Sequence, residues 1–384
     1  MTLDLDAAVE VFAASKDGTV GLEEEFAVLE PGSLDLVGGF ERLRDAAAAE
    51  DEALAASISG ELISSEIEIR SGRGEDLADA LARQRDMRRR LFALAARHGF
   101  ALGATGTHPW ADYREQRFID TEHYRRVANS LQWVAQRNTT FAVHTHVGIR
   151  DLDRAVRVCD RLRPVLPTLL ALSTSSPWLD GRDAGLHSAR TQIFTKSFPR
   201  CGVPDPFGGW DAFRAYLELL IGTGSIVEYT QVWWSIRPHL SFGTVEVRMC
   251  DAQPTAREAD ALYGLQVACV LQAARDIDDG VPYSDIPGRL IEENVWRAIR
   301  FGMDGDLIDL AAGAEQPARA AVDELMAWTA PVRAEYGIEV DLPELNAAQR
   351  LRRALDAGAS LAEAYAEAVR ATRETYAPGV VTAR

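Results

Sequence analysis

A chain of 384 residues with 58 acidic and 41 basic side chains carries a formal charge of −17, which argues against a nucleic-acid backbone as partner. Hydrophobic content of 47% and charged content of 26% are those of an ordinary globular protein with a sizeable core. Lys16 and Lys196 are the only lysines and neither follows a run of glycines, so a P-loop is excluded. Cys159, Cys201, Cys250 and Cys269 form no Cys-x-x-Cys pair, which sets aside a zinc knuckle and a disulfide scaffold. The segment Met1–Asp6 lacks the basic region of a signal peptide, and no apolar run reaches the length of a membrane span. A soluble, cytoplasmic protein is expected.

In chain order, Val20–Val28 reads as a strand. Side chains on a strand alternate between faces, so Val20, Leu22, Glu24, Phe26 and Val28 share one side, and Glu23 and Glu25 share the other. Glu24 fits neither face: it caps, pairs with an arginine, or signals a slipped register. After a turn at Glu30-Pro-Gly-Ser33, Leu34–Val37 can return as a hairpin strand, and Phe40–Ala56 reads as an exposed helix. Leu62–Arg70 is the second strand, with Ser64, Glu66, Glu68 and Arg70 opposite Ile63, Ile67 and Ile69. A helix from Glu75 to His98 follows, stopped by Gly99, and its Arg88-Arg89-Arg90 run reads as a solvated face.

Phe100–Thr107 is expected to be a strand and Thr121–Gln136 a helix. Phe141–Ile149 is a third amphipathic strand, with His144 and His146 on one side. Pro164 and Pro167 should kink or divide the helix from Asp153 to Thr174. Residues 175–209 are rich in Gly, Pro, Ser and Arg and read as a long functional loop. Trp210–Ile221 is helical, and Ile226–Ile236 alternates towards Trp233 and Trp234. Thr244–Cys250 is a fourth strand, with Thr244, Glu246 and Arg248 on one side. Thr255-x-x-Glu258 opens a helix to about Asp276, and the remainder reads as almost wholly helical, with a second capping box at Ser360-x-x-Glu363. The expectation is one α+β domain over 1–384, sheet-rich over about 18–254 and helical over about 255–384.

Four strands therefore each place acids, imidazoles or a guanidinium on one side. Gathered on one sheet face, these carboxylates would resist ionising together unless a cation lay among them, and hard divalent ions are held by carboxylate oxygens. His-x-His alone suits a zinc site equally, so a metal-dependent hydrolase is one reading of the pattern. Cys250 reads as a packed thiol, and Trp233 and Trp234 as core or a pocket wall.

Gly21-Leu-Glu-Glu-Glu-Phe26, Ser65-Glu-Ile-Glu-Ile69, Gly106-Thr-His-Pro109, His144-Thr-His-Val-Gly148 and Thr244-Val-Glu-Val-Arg248 stand in the order seen in the type 2 glutamate–cysteine ligases, or carboxylate-amine ligases. Ser188-Ala-Arg-Thr-Gln192, Trp233-Trp-Ser-Ile-Arg-Pro238, Asp251-Ala-Gln-Pro254 and Asn294–Gly302 extend the resemblance over residues 18 to 310. The resemblance implies a glutamine synthetase-like fold: a curved, mainly antiparallel sheet with helices on its convex side and ATP with Mg²⁺ or Mn²⁺ on its concave face. It implies joining of the glutamate γ-carboxylate to an amine, cysteine foremost, through an acyl phosphate. Glu23, Glu25, Glu68, His144 and Glu246 then look like metal ligands, with Glu66 and His146 as further candidates on the same faces. Arg248 looks like the catalytic group that steadies the transferring phosphoryl. Arg70, Arg190 and Arg237 are candidates for substrate or ATP. Small-molecule substrates are the expected partners, with a homodimer compatible. A degenerate ligase that only binds nucleotide or amino acid is the non-enzymatic alternative.

Overall fold

The computed structural model describes residues 5–380; the first four residues of the segment read for a leader, and the last four of the chain, lie outside them. Seven strands form the main sheet: β1 (Val20–Leu29), β2 (Ile58–Ser59), β3 (Glu66–Arg70), β4 (Ala101–Gly103), β5 (Val143–Gly148), β6 (Ile236–His239) and β7 (Thr244–Val247). Every pairing is antiparallel, in the order β6-β7-β5-β1-β3-β2, with β4 beside the C-terminal end of β1. The ten-residue β1 is the hub: its N-terminal half pairs with β5, its last residues with β4, and its other edge with β3.

One side of this sheet is buried under helices α1 (Leu77–Arg97), α2 (Leu152–Leu162) and α4 (Ala256–Asp278). The alternating apolar side chains Val20, Leu22, Phe26 and Val28 of β1 join Val143 and Val147 of β5 and Val245 and Val247 of β7 in that core. Asp76 and Thr255 cap α1 and α4 by accepting from the backbone N–H of Asp79 and Glu258. A further helix, α3 (Ala189–Ser197), lies over the polar side's edge and is capped by Ser188. At the end of β5, Gly148 is required by space, since a Cβ there would sit 2.2 Å from Thr19 Oγ1 and 2.4 Å from the Lys16 carbonyl oxygen.

Several expectations are corrected. Arg88 is fully buried, unlike its neighbours Arg89 and Arg90, because Glu24 faces it from the helix side of β1. The second strand is shorter than Leu62–Arg70, since Ser64 and Ile63 bond instead to the 117–118 segment. Phe100–Thr107 contributes a three-residue strand, and the 121–136 helix breaks at Gln132, whose φ is +51°. Pro164 and Pro167 do divide their helix, through a 3₁₀ turn at Arg163–Val165. Residues 175–209 are not one loop: they hold a short hairpin (Trp178–Leu179 with Arg182–Asp183), α3, and Cys201–Gly202 paired parallel with Trp233–Trp234. Residues 226–236 form a 3₁₀ turn and that two-residue strand rather than one alternating strand. The C-terminal part is helical except for a hairpin, Asp306–Asp309 with Ala314–Pro317, which Asn294 pins by bonding both the N–H and the C=O of Ile308.

Candidate active site

The register places the polar side chains on the sheet face away from the three helices. Glu23 lies opposite Arg70 on β3 and His144 on β5, Glu25 lies opposite Glu68, and Glu246 on β7 lies between His146 and Arg237. One ligand atom from each of Glu23, Glu68 and His144 lies within 4.8 Å of the other two. The same holds for Glu23, His146 and Glu246, and for Glu25, Glu61 and Glu68. Glu23 and Glu68 are each shared by two of these triads, so the clusters adjoin.

Glu61 was not foreseen. It sits on an irregular turn just before β3, where no alternation marks it; its one sequence signal is an acid beside a glycine ahead of an apolar strand. Glu66, a candidate ligand, belongs to none of the three triads, and its Oε2 is buried without a hydrogen-bond partner.

Charges in the site are opposed unevenly. Burial raises the Glu23 carboxyl, but His146 and His144 outweigh it and hold it well below the usual range, with His144 Nδ1 at 3.1 Å. Burial likewise raises Glu246, yet Arg237, Arg248 and His146 keep it strongly acidic. Arg237 Nε donates to Glu246 Oε2 at 2.7 Å and Arg248 bonds Oε1 of the same carboxylate. At the other end, burial and the neighbouring acids Glu25 and Glu61 push Glu66 well up. Burial with Glu23 and Glu61 does the same to Glu68 despite Arg70, whose Nε donates to it at 2.6 Å. Glu61 is pushed up to about 8 by burial, then by Glu25. Burial lowers His144, whereas His146 is raised because Glu23 and Glu246 outweigh its burial. Bringing these carboxylates together without a counter-cation is costly, and two divalent charges or more would relieve it. Oxygen-rich triads, two of them with one imidazole and one with none, fit Mg²⁺ or Mn²⁺.

The cleft over this face has two chambers that meet at Arg248. The wider, about 410 Å³, holds Glu23, Glu68, His146, Glu246, Arg70 and Arg237. The narrower, about 110 Å³, holds Glu25, Glu66, Arg190 and an aromatic wall. The wider is of small-molecule size. Arg190 is set by α3. Asp251 accepts from Ser188 Oγ at 2.9 Å, Ser176 Oγ at 2.7 Å and the Ser175 N–H at 3.0 Å, which fixes the start of that helix. Arg190 itself donates to the carbonyls of Met249 and Arg248, stands 3.7 Å from Asp251, and keeps a buried Nε without a partner. The Gly106-Thr-His-Pro109 motif serves the scaffold, since His108 bonds the Leu34 carbonyl and accepts from the N–H groups of Trp110 and Ala111.

A family model described as Glutamate-cysteine ligase family 2 matches residues 19–378. The chain belongs to that family. A relative named "Putative glutamate--cysteine ligase 2-2", from Rubrobacter xylanophilus, is 37% identical over 80% of this chain and 79% of its own. Another, named "2-1", from Frankia casuarinae, is 36% identical over 87% of each. Among solved structures, a glutamate–cysteine ligase from Francisella tularensis in complex with AMP matches 94% of this chain and 89% of its own, with TM-score 0.67 at 12% identity. A bifunctional glutathione synthetase from Pasteurella multocida matches 97% of this chain and 54% of its own, with TM-score 0.64 at 12% identity. Those two likenesses establish the fold. As a member of the glutamate–cysteine ligase family 2, the protein is an ATP-dependent ligase that forms a carbon–nitrogen bond. The hydrolase reading of His144 and His146 is not favoured by this membership. Among the described residues no helix is long and apolar enough to cross a membrane.

Proposed function

We propose that the protein joins the γ-carboxylate of glutamate to an amine at the expense of ATP, through an acyl phosphate. The observation that carries this reading is the joint between the chambers. Arg248, Glu61 and His144 line both, and the carboxylates of Glu23 and Glu25 act on the Arg248 guanidinium. The wide chamber, with Arg70, Arg237 and the two triads built on Glu23, takes the triphosphate. The narrow chamber takes glutamate, its α-carboxylate on Arg190 and its α-ammonium on the unpartnered Glu66, so Glu66 is read as a substrate group rather than a metal ligand.

Glu23, Glu25, Glu61, Glu68, His144, His146 and Glu246 would hold the divalent cations, Mg²⁺ or Mn²⁺, whose charge offsets that of the phosphates. Arg237 fixes the orientation of Glu246, and Glu246 in turn aims the Arg248 guanidinium at the joint. There Arg248 stabilises charge spreading over the phosphoryl group as the γ-carboxylate attacks in line. Arg190 and Glu66 hold glutamate so that this attack is intramolecular in effect. Helix α3 and the residue after it, through Arg190, Phe194 and Phe198, wall the narrow chamber and restrict the water that would hydrolyse an acyl phosphate.

The test is ADP release from ATP, Mg²⁺ and glutamate with hydroxylamine as a small trapping amine. Formation of γ-glutamyl hydroxamate with stoichiometric ADP is expected. Turnover of amides without ATP, and no hydroxamate, would overturn the reading.

A further inference from the structure

Resting on that ligase reading, we infer that His123 and Glu228 form a latch across the cleft that keeps water from the acyl phosphate and so couples ATP use to amide formation. The two residues come from opposite edges of the sheet. His123 stands near the start of the helix Glu122–Leu131, which is fastened at the β2 edge: the Tyr124 hydroxyl donates to the Gly60 carbonyl, and Val127 packs on Leu62. Glu228 precedes the 3₁₀ turn Tyr229–Gln231 at the β6 edge, which Arg237 ties down through the Thr230 and Val232 carbonyls. His123 Nδ1 lies 3.1 Å from Glu228 Oε1. Both residues line the wide chamber and His123 lines the narrow one too, so the bridge stands at the joint between them.

The narrow chamber needs a wall that moves. At about 110 Å³ it is well below the roughly 300 Å³ of an ordinary small-molecule site, so glutamate and then the amine enter only when it widens. The α3 wall is fixed at its start by Asp251, through Ser188 and Ser176, and at its end by Lys196 on Glu292. The opposite wall, made of His123, Tyr124 and Val127, is lightly held. Val127 is the one buried residue of its helix, and it belongs to a small apolar cluster with Leu62 and Ala135, apart from the main core. A ten-residue helix has little stability of its own. At its end Gln132, with φ +51° and ψ −123°, gives a strained point at which the segment turns. Among the described residues, His123–Glu228 is the one ion pair or hydrogen bond from this helix to the β6 side of the cleft. Its side chains are 49% and 36% exposed, and such a pair favours the closed state by no more than about fivefold. That strength suits a contact which opens on every turnover.

An open latch is wasteful. Water that reaches the acyl phosphate adds to the acyl carbon, and the C–O bond to phosphate breaks with its electron pair on the phosphate oxygen. One proton of the water leaves with the phosphate and the other goes to solvent, so glutamate, ADP and phosphate are released without amide. With the latch closed, the amine already bound is the nucleophile within reach.

Glutamate-dependent ADP release and γ-glutamyl hydroxamate formation, measured together under ATP, Mg²⁺ and hydroxylamine, test this in the full chain. In the unaltered protein ADP and hydroxamate should match. Glu228→Ala and His123→Ala should each raise ADP release in the absence of amine by about fivefold and lower the hydroxamate formed per ADP, with the melting temperature little changed. The double variant should do no more than either single one, because both changes remove the same contact. Hydroxamate per ADP as high in both single variants as in the unaltered protein, or effects that add in the double variant, would overturn the latch and leave the ligase reading standing. No hydroxamate from the unaltered protein removes both.

Discussion

Arg88 and Glu24 form a fully buried ion pair, with Arg88 Nε 2.8 Å from Glu24 Oε2, on the side of β1 that faces the helices. The same guanidinium reaches Asp260 of α4 at 2.9 Å and lies over the Tyr376 ring at 4.5 Å. One side chain thus ties β1 to α1, α4 and the C-terminal helix Leu361–Tyr376, directly behind the residues that carry the acids of the site.

Removing half of such a pair leaves an uncompensated buried charge. Arg88→Met should cost about 3–5 kcal/mol of stability, whereas Arg88→Met with Glu24→Leu should recover most of it. Urea midpoints of the two variants check this. A double variant no better than the single would show that Asp260 and the packing over Tyr376, not the pair, carry the loss.

The Glu24–Arg88 pair also shows what was legible in the sequence. Alternation alone put Glu23 and Glu25 on the open face and Glu24 on the wrong one, and an arginine partner was among the options. What could not be read was which arginine, because a triple Arg run looks solvated until the tertiary structure brings an acid to it. The polar faces of β1, β3, β5 and β7 were readable for the same periodic reason. Glu61 was not, since a residue on an irregular turn carries no period. Arg190 was placed only by motif order; its setting depends on Asp251, 61 residues further on.

Glu61 tests the cation cluster without disturbing the bonded core. It belongs to an acid group whose members repel one another, so Glu61→Gln should raise or leave unchanged the melting temperature in chelator. The same change should reduce the stabilisation gained on adding Mg²⁺ and weaken metal affinity by at least about tenfold, with turnover falling alongside. Scanning calorimetry with and without Mg²⁺ measures both. An unchanged Mg²⁺ response would take Glu61 out of the cluster. Glu246→Ala is a poorer probe, because it strips Arg237 and Arg248 of their shared partner.

Protonation of the scaffold should be felt in mild acid. His108 is pushed down to about 4 by burial, and its ring nitrogens are already satisfied by Leu34, Trp110 and Ala111. An unfolded histidine takes up its proton near pH 6.5. Above that pH the group contributes no slope. Between about 6.5 and 4 the unfolded chain binds a proton that the folded chain refuses, so stability falls with pH; below about 4 the slope ends. The loss from pH 7 to 5 is about 2 kcal/mol for this one group. His187, also pushed down to about 4 by burial, adds its own share. His108→Gln should therefore remove about half of the combined loss, read as the change in urea midpoint between the two pH values. An undiminished slope in the variant would assign the acid sensitivity elsewhere.

The nucleotide end is testable at Phe242, whose ring is 55% exposed at the wide chamber and stacked on His239 at 4.1 Å between centroids, 15° from parallel. An exposed aromatic face backed by a second ring is a platform on which a purine can stack, and such stacking is worth about 1–3 kcal/mol per base. Phe242→Ala should raise KM for ATP about tenfold, leave KM for glutamate unchanged, and lower the melting temperature little, since the ring buries only part of its surface. Phe242→Tyr, which keeps the face, should restore KM for ATP. Steady-state kinetics with each substrate varied in turn separates the outcomes. A rise in KM for glutamate instead would exchange the roles of the two chambers, moving ATP to the aromatic wall of Phe194, Phe198 and Trp233.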